Sequence, residues 1–103
     1  MESPLNNEAV AEAIRQQLGG TSAVTAIIAK DDLLQVHVTE ELCRKLTTDR
    51  IRSRKIVLNL MTSMKRLTDL LEVTVRIYCN KEKFIEGKAK PYGGDNVAYT
   101  YDL

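Results

Sequence analysis

The stretch that decides the fold is residues 48–79, TDRIRSRKIVLNLMTSMKRLTDLLEVTVRIYC. Thr48 is a suitable N-cap for a helix, and Asp49 follows it at the positive end of the helix dipole. Apolar residues then recur at helical spacing along one stripe: Val57, Leu60, Met61, Met64 and Leu67. From Leu71 to Cys79 apolar and polar residues alternate, which is typical of a strand. The stretch therefore predicts a long helix and a strand whose apolar faces pack together.

The residues before this stretch predict a helix and a β-hairpin. Asn7 is the expected N-cap of the helix, and Gly19-Gly20 ends it. Val24–Lys30 and Leu33–Val38 are rich in apolar and β-branched residues, as strands are. The tight Asp31-Asp32 corner between them indicates a hairpin.

A short helix connects the hairpin to the long helix. It begins after Thr39 and spans about two turns, with Leu42 and Leu46 facing the core. Thr47-Thr48 interrupts it before the long helix begins. The predicted element order up to Cys79 is αββααβ, which belongs to the α+β class.

The C-terminal part has a weaker pattern. Asn80 to Lys90 is charged and is compatible with a short helix, and Pro91 to Asp95 is a predicted loop. Large apolar or aromatic residues occupy every second position in Val97 to Leu103, which predicts an additional edge strand. The expected organisation is a disordered lead over 1–6, a single α+β domain over 7–90, and a loop with an edge strand over 91–103.

Apolar and polar residues alternate regularly in three strands. This pattern predicts a layer of helices on one face of the sheet, with the other face open. The open face would present Thr25, Ile27, Gln35, His37, Thr74, Arg76 and Tyr78. Five of these residues form a candidate surface for a protein partner: Gln35, His37, Thr74, Arg76 and Tyr78.

The composition fits one folded domain with an uneven charge distribution. The chain has 103 residues, of which 44% are hydrophobic and 28% charged. The sequence has no apolar run long enough to span a bilayer and no signal-peptide pattern, so no membrane association is expected. The net charge is +1, yet residues 43–66 carry +7 and the remainder carries −6. This asymmetry is the feature of the composition that most indicates a function.

The basic segment predicts phosphate contacts. Helical geometry places Arg50 and Arg54 near the apolar stripe, at the rim where the short and long helices meet. Arg52 and Lys55 fall on the solvent side of the long helix. A polyanion site requires such convergence of positive charge. The candidate nucleic-acid-binding residues are Arg44, Lys45, Arg50, Arg52, Arg54 and Lys55.

Two other interpretations of the basic segment remain open. The helix can be a solvated basic helix, paired with the acidic residues of Asp31-Asp32 or Glu40-Glu41. Lys45 to Lys55 also has the outline of a helix-turn-helix, although Thr47-Thr48 is a short turn without the usual glycine.

The element order αββααβ resembles the type II KH-like fold, and within that group two segments resemble BolA-like proteins. Residues 52–57, RSRKIV, resemble the basic start of their long helix. Residues 73–78, VTVRIY, followed by Lys81-Glu82, resemble their last strand and its acidic exit. These segments lie within residues 52–82, which make up about a third of the chain. Ribosome-binding factor A shares the element order. The resemblance implies a small domain associated with nucleic acid or with regulation.

The chain departs from these families at their functional positions. KH domains that bind nucleic acid carry a GXXG loop between the two helices, whereas this chain has Lys45 to Thr48 there, with no glycine. BolA-like proteins have an iron–sulfur ligand histidine just ahead of the last strand, where this chain has Leu70 to Glu72. The only histidine, His37, lies on another strand. The resemblance therefore supports the fold more than a family activity.

The sequence contains no catalytic or metal-binding motif, so we expect a non-enzyme without metal or cofactor. A single histidine without nearby carboxylates or thiols is a surface residue rather than a ligand. Cys43 and Cys79 are far apart in the sequence and are predicted to be packing residues without a disulfide. The expected location is therefore the reducing cytoplasm.

These observations leave two hypotheses of different classes. The first is a nucleic-acid-associated protein that binds phosphates through the basic helix, with RNA favoured by the KH-like element order. The second is a protein–protein adaptor or regulator that uses the open sheet face or the C-terminal strand, including pairing with a second copy through the sheet edge. Phosphate binding weakens steeply with salt, whereas apolar pairing does not.

Overall fold

The computed structural model describes residues 6–90 and 96–99, which form eight helices and strands in the order αββααβββ. The helices are α1 Asn7–Gln17, α2 Glu40–Thr48 and α3 Arg50–Thr68. The strands are β1 Val24–Lys30, β2 Leu33–Val38, β3 Val73–Cys79, β4 Glu82–Ala89 and β5 Asn96–Tyr99.

The strands form one mixed sheet in which their spatial order is the same as their order in the chain. β1 and β2 pair as an antiparallel hairpin, and β3, β4 and β5 pair as an antiparallel meander. β2 and β3 are parallel, and helices α2 and α3 provide the crossover between them. Helix α3 therefore starts near the end of β3 and finishes near its beginning.

The core lies between α3 and the centre of the sheet. Val57, Leu60, Met61 and Met64 are almost completely buried. They are four of the five residues of the predicted apolar stripe, and the fifth, Leu67, is partly buried against the same core. The four buried residues pack over β3 and β4, where Gly87 brings the strand backbone against the helix. A Cβ atom at Gly87 would overlap with Val57 and lie 3.0 Å from the Met61 sulfur. Glycine is required there because α3 approaches β4 so closely.

Most of the predicted elements are confirmed. The first six occur in the predicted order, and Asp31 takes the left-handed conformation in the hairpin turn (φ 53°), which aspartate tolerates better than most residues. The predicted C-terminal edge strand is confirmed for Asn96–Tyr99, which pairs with β4. The predicted loop at 91–95 and the rest of that strand, 100–103, lie outside the described residues.

Several details of the prediction were wrong. Most of the charged segment from Asn80 to Lys90 forms strand β4, Glu82–Ala89, and not a helix. Ile27 faces the helices, because a bulge between Val24 and Ala26 shifts the alternation of β1. Strand β3 begins only at Val73, and Leu71 is 66% exposed in the preceding loop.

The caps of two helices also differ from the prediction by one residue. Asn6 caps α1 by accepting a 2.7 Å hydrogen bond from the Ala9 amide, so the helix begins at Asn7. Asp49 caps α3, and Thr48 is the last residue of α2. Capping residues of similar chemistry stand side by side in both places, so only the backbone geometry separates them.

Candidate functional site

A single residue, Asp49, connects α2 to α3 and makes a hydrogen bond to each of the two helices. Its amide donates a 3.1 Å hydrogen bond to the Lys45 carbonyl and ends α2. Its carboxylate accepts a 3.0 Å hydrogen bond from the Arg52 amide and begins α3. The Thr48 hydroxyl donates back to the Arg44 carbonyl, which keeps α2 helical up to this junction. The same aspartate thus caps both helices, a role that was not recognised from the sequence.

The junction creates a groove between the two helices, which we call the elbow groove. Its volume is about 570 Å³. Its apolar residues are Leu42, Leu46 and Ile56, and its polar residues are Arg44, Lys45, Thr48, Asp49 and Arg52. The groove therefore combines an apolar surface with three cationic side chains and one carboxylate.

The structure divides the six predicted basic residues into two groups, although all six are exposed. The first group lines the elbow groove and consists of Arg44, Lys45 and Arg52. Arg50, Arg54 and Lys55 do not line it. Arg50 and Arg54 lie one turn apart, and each is two residues, or about 200°, from Arg52 around the helix. The groove therefore contains Arg52 in place of Arg50 and Arg54, which the helical geometry of the sequence had placed at this rim.

The elbow groove carries net positive charge. The lining cations outnumber the single carboxylate of Asp49. An Arg44 guanidinium nitrogen lies 3.1 Å from a Glu40 carboxylate oxygen, but both side chains are largely exposed. An ion pair of this kind contributes little energy and opens easily, so Arg44 is available to another anion.

The face of the sheet opposite the helices contains the five residues predicted to form a partner surface, all partly buried. His37 and Tyr78 are directly paired across the parallel strands β2 and β3. Their rings stack with centroids 4.8 Å apart and an angle of 12° between the planes. The only histidine is therefore engaged with an aromatic neighbour.

The charges on this open face are paired among themselves. Glu86 accepts a 2.7 Å hydrogen bond from Arg76, and Lys83 and Lys88 lie 3.4 and 3.6 Å from its carboxylate. Burial raises the pKa of Glu86, but the hydrogen bond from Arg76 and the two lysines outweigh it, so the pKa falls below the usual value. The hydrogen bond to Glu86 also raises the pKa of Arg76. This carboxylate was not recognised from the sequence because strand β4 was not.

The predicted absence of a disulfide was wrong, because Cys43 and Cys79 are bonded to each other. Their Cα atoms are 6.1 Å apart although 36 positions separate them in the sequence. The bond joins α2 to the end of β3, which come together because α3 runs back along β3. The expectation of a reducing compartment therefore loses its basis, since disulfides persist mainly in oxidising compartments.

Metal binding and membrane insertion have no support in the described residues. Residues 6–90 and 96–99 contain no group of three or more His, Cys, Asp or Glu side chains that could hold a metal ion. Within the same ranges, no helix is long and apolar enough to cross a membrane. The elbow groove and the open sheet face therefore remain the two candidate surfaces.

Comparison of the chain with protein-family models, with curated proteins and with solved structures gives no match. The resemblance to KH-like and BolA-like proteins consequently stays a hypothesis based on element order and two short segments. The geometry and charge of the two candidate surfaces are therefore the basis for a function.

Proposed function

We propose that the protein binds single-stranded nucleic acid, with RNA favoured, through the elbow groove. The observation that carries the proposal is the convergence of Arg44, Lys45 and Arg52 around an apolar surface at a one-residue junction. Proteins that bind single strands combine a positively charged groove, which contacts the phosphates, with side chains on which the bases pack, most often aromatic ones. The groove offers the cations and the apolar surface within one site.

The preference for RNA is supported by the order of the first six elements, αββααβ. Type II KH-like domains have this element order, and the elbow groove lies at the junction where they carry their GXXG loop. This chain has no glycine there, so its backbone cannot approach a phosphate as closely. The arginine and lysine side chains would make the contacts instead.

The adaptor hypothesis has less support from the charges. On the open sheet face, Arg76 and Glu86 already form a hydrogen-bonded ion pair, and two lysines surround the same carboxylate. A partner would have to displace these contacts to use the charged groups. Strand β5 already pairs with β4 within the chain, so Asn96–Tyr99 would offer only its outer edge.

The cytoplasm as the location is part of this proposal, because the disulfide removes the support that the cysteines gave it. RNA as the ligand favours the cytoplasm, whereas the Cys43–Cys79 bond favours an oxidising compartment. Both are compatible if the bond opens under reducing conditions.

The test compares two variants with the same change in charge. One replaces the groove residues Arg44, Lys45 and Arg52 with glutamine. The matched control makes the same replacement at Arg50, Arg54 and Lys55, which do not line the groove. Binding of a fluorescent single-stranded RNA is measured by anisotropy over a range of salt concentrations.

We expect the groove variant to bind more weakly than the control variant. Its log–log salt slope should decrease by about 0.7 for each phosphate that the protein no longer binds, up to about 2. An equal loss of affinity in both variants would mean that the whole basic segment acts without a specific groove. If the parent protein does not bind at low salt, the nucleic-acid hypothesis is wrong and the adaptor hypothesis takes its place.

A further inference from the structure

Helix α2 depends on the disulfide more than its neighbours do. Of its nine residues only Leu46 is buried, and Leu42 and Cys43 pack against the core in part. Its covalent attachment to the sheet is the bond from Cys43 to Cys79. Strand β3, which carries Cys79, is held between β2 and β4. If the bond opens, α2 is therefore the element that moves.

The bond lies in a second groove, which we call the cysteine groove, with a volume of about 500 Å³. It is lined by Glu40, Cys43, Arg44, Thr47, Thr48, Cys79, Asn80 and Glu82. Cys79 is only 9% exposed, whereas Cys43 is more accessible. A small molecule in the groove can therefore reach the bond from the side of Cys43.

We propose that Cys43–Cys79 is a thiol-exchange site, at which a small neutral or cationic thiol opens the bond and frees α2. The exchange and the release of α2 stand independently of RNA binding. Only the consequence for the elbow groove rests on the proposed function.

The reaction is thiol–disulfide exchange. The incoming thiolate attacks Sγ of Cys43 and forms a mixed disulfide, while the Cys43–Cys79 bond breaks. Its electron pair leaves with Sγ of Cys79, which takes up a proton from water. A second thiol then attacks the mixed disulfide, and Cys43 leaves as a thiolate and is protonated. Overall, the protein disulfide is reduced and two small thiols are oxidised to one disulfide.

The preference for a neutral or cationic thiol follows from the charges of the cysteine groove. Glu40 and Glu82 contribute two carboxylates, and Arg44 contributes one cation. The lining therefore carries a net charge of −1, which repels an anionic thiol.

Opening the bond would alter the elbow groove, because the two grooves share α2. Leu42, Arg44, Lys45 and Leu46 of the elbow groove lie on α2, whereas Arg52 and Ile56 lie on α3. Release of α2 would move its four groove residues relative to Arg52 and Ile56 on α3. RNA binding, as proposed above, should therefore weaken when the protein is reduced.

The first experiment tests the site and its charge preference. The oxidised protein is treated with cysteamine, a cationic monothiol, or with 2-mercaptoethanesulfonate, an anionic one, at equal thiolate concentrations. Peptide mass spectrometry locates the mixed disulfide. We expect modification on Cys43, with cysteamine reacting at least threefold faster. Glu82→Gln should lower the ratio of the cysteamine rate to the 2-mercaptoethanesulfonate rate, whereas the remote Glu8→Gln should leave this ratio unchanged.

The second experiment tests the release of α2. Amide hydrogen exchange is measured before and after reduction with dithiothreitol, and in the Cys43→Ser/Cys79→Ser variant, with circular dichroism as the check on folding. We expect exchange of the α2 amides to become at least tenfold faster, while the α1 amides change little. The double variant should behave like the reduced protein and should not respond to dithiothreitol.

Three results would overturn the proposal. They are labelling of both cysteines by iodoacetamide without reduction, modification on Cys79 in place of Cys43, and unchanged exchange of α2 after reduction. A protein that releases α2 on reduction but never binds RNA would retain the exchange site. That result would instead disprove the proposed function.

Discussion

The consecutive helices α2 and α3 are attached to the rest of the molecule in different ways. Helix α3 buries seven residues along its length, and α2 buries one, Leu46. For α2, the Cys43–Cys79 bond adds a link that depends on the redox state. The stability of the fold therefore depends mainly on α3, whereas α2 can change its position without loss of the core.

The largest effect should come from a charge placed under α3. Val75 is completely buried in β3, so Val75→Asp should destabilise the protein by several kcal/mol out of a total of about 5–15. Urea unfolding measures the loss. Thr74→Ser, on the other face of the same strand, is the control and should change stability little. A Val75→Asp variant that unfolds at the same urea concentration as the parent would contradict the burial of Val75 between β3 and α3.

The next effect concerns the attachment of α2. Cys43→Ser/Cys79→Ser removes a link across 36 positions, for which chain entropy predicts a loss of about 4 kcal/mol. Urea unfolding with and without dithiothreitol is the measurement. The parent should lose stability on reduction, and the variant should be insensitive to it. A loss below about 1 kcal/mol would mean that α2 is held mainly by packing, as α3 is.

A smaller effect should follow from pushing α3 away from the sheet. Gly87→Ala introduces a methyl group that overlaps with Val57, which should cost about 1–3 kcal/mol. Val57→Ala creates space at the same place. In the double variant the total loss should be smaller than the sum of the two single losses, as urea unfolding of all four proteins would reveal. Simple additivity would contradict the close approach of α3 to β4.

The smallest effect should come from the open sheet face, which touches neither helix. The pKa of Glu86 is lower in the folded protein, so its ionised form stabilises the fold at pH values above about 4.5. This contribution should be lost as the pH falls through the lower, folded-state pKa. Glu86→Gln should remove less than about 1 kcal/mol at pH 7, and the loss should be smaller at about pH 3. Urea unfolding at both pH values checks this, and an equal loss at both would contradict the ion pair.

The sequence was sufficient for those elements whose apolar residues follow a regular period. The stripe of α3 and the alternation of β3 were both readable because large side chains mark each inward position. Strand β4 was missed because its inward positions include Gly87 and Ala89, which have little or no side chain. The close approach of α3 explains these small residues, and it depends on packing that no local pattern contains.

The candidate site was predictable in composition but not in arrangement. The basic residues were evident, yet membership of the elbow groove depends on the angle between the two helices that meet at Asp49. The disulfide was missed for a similar reason. Cys43 and Cys79 meet only because a long helix returns the chain along the sheet, a relationship between elements distant in sequence.

The strand order also has a consequence for how the chain reaches this structure. Because strands adjacent in the sheet are also adjacent in the sequence, each described strand finds a partner through a short connection. Only the pairing of β2 with β3 requires closure of a long loop, and that loop contains α2 and α3. Local contacts lower the contact order and speed folding, whereas loop closure slows it. The rate of folding should therefore be set by the docking of the N-terminal hairpin onto the C-terminal meander, with α3 as the surface on which they meet.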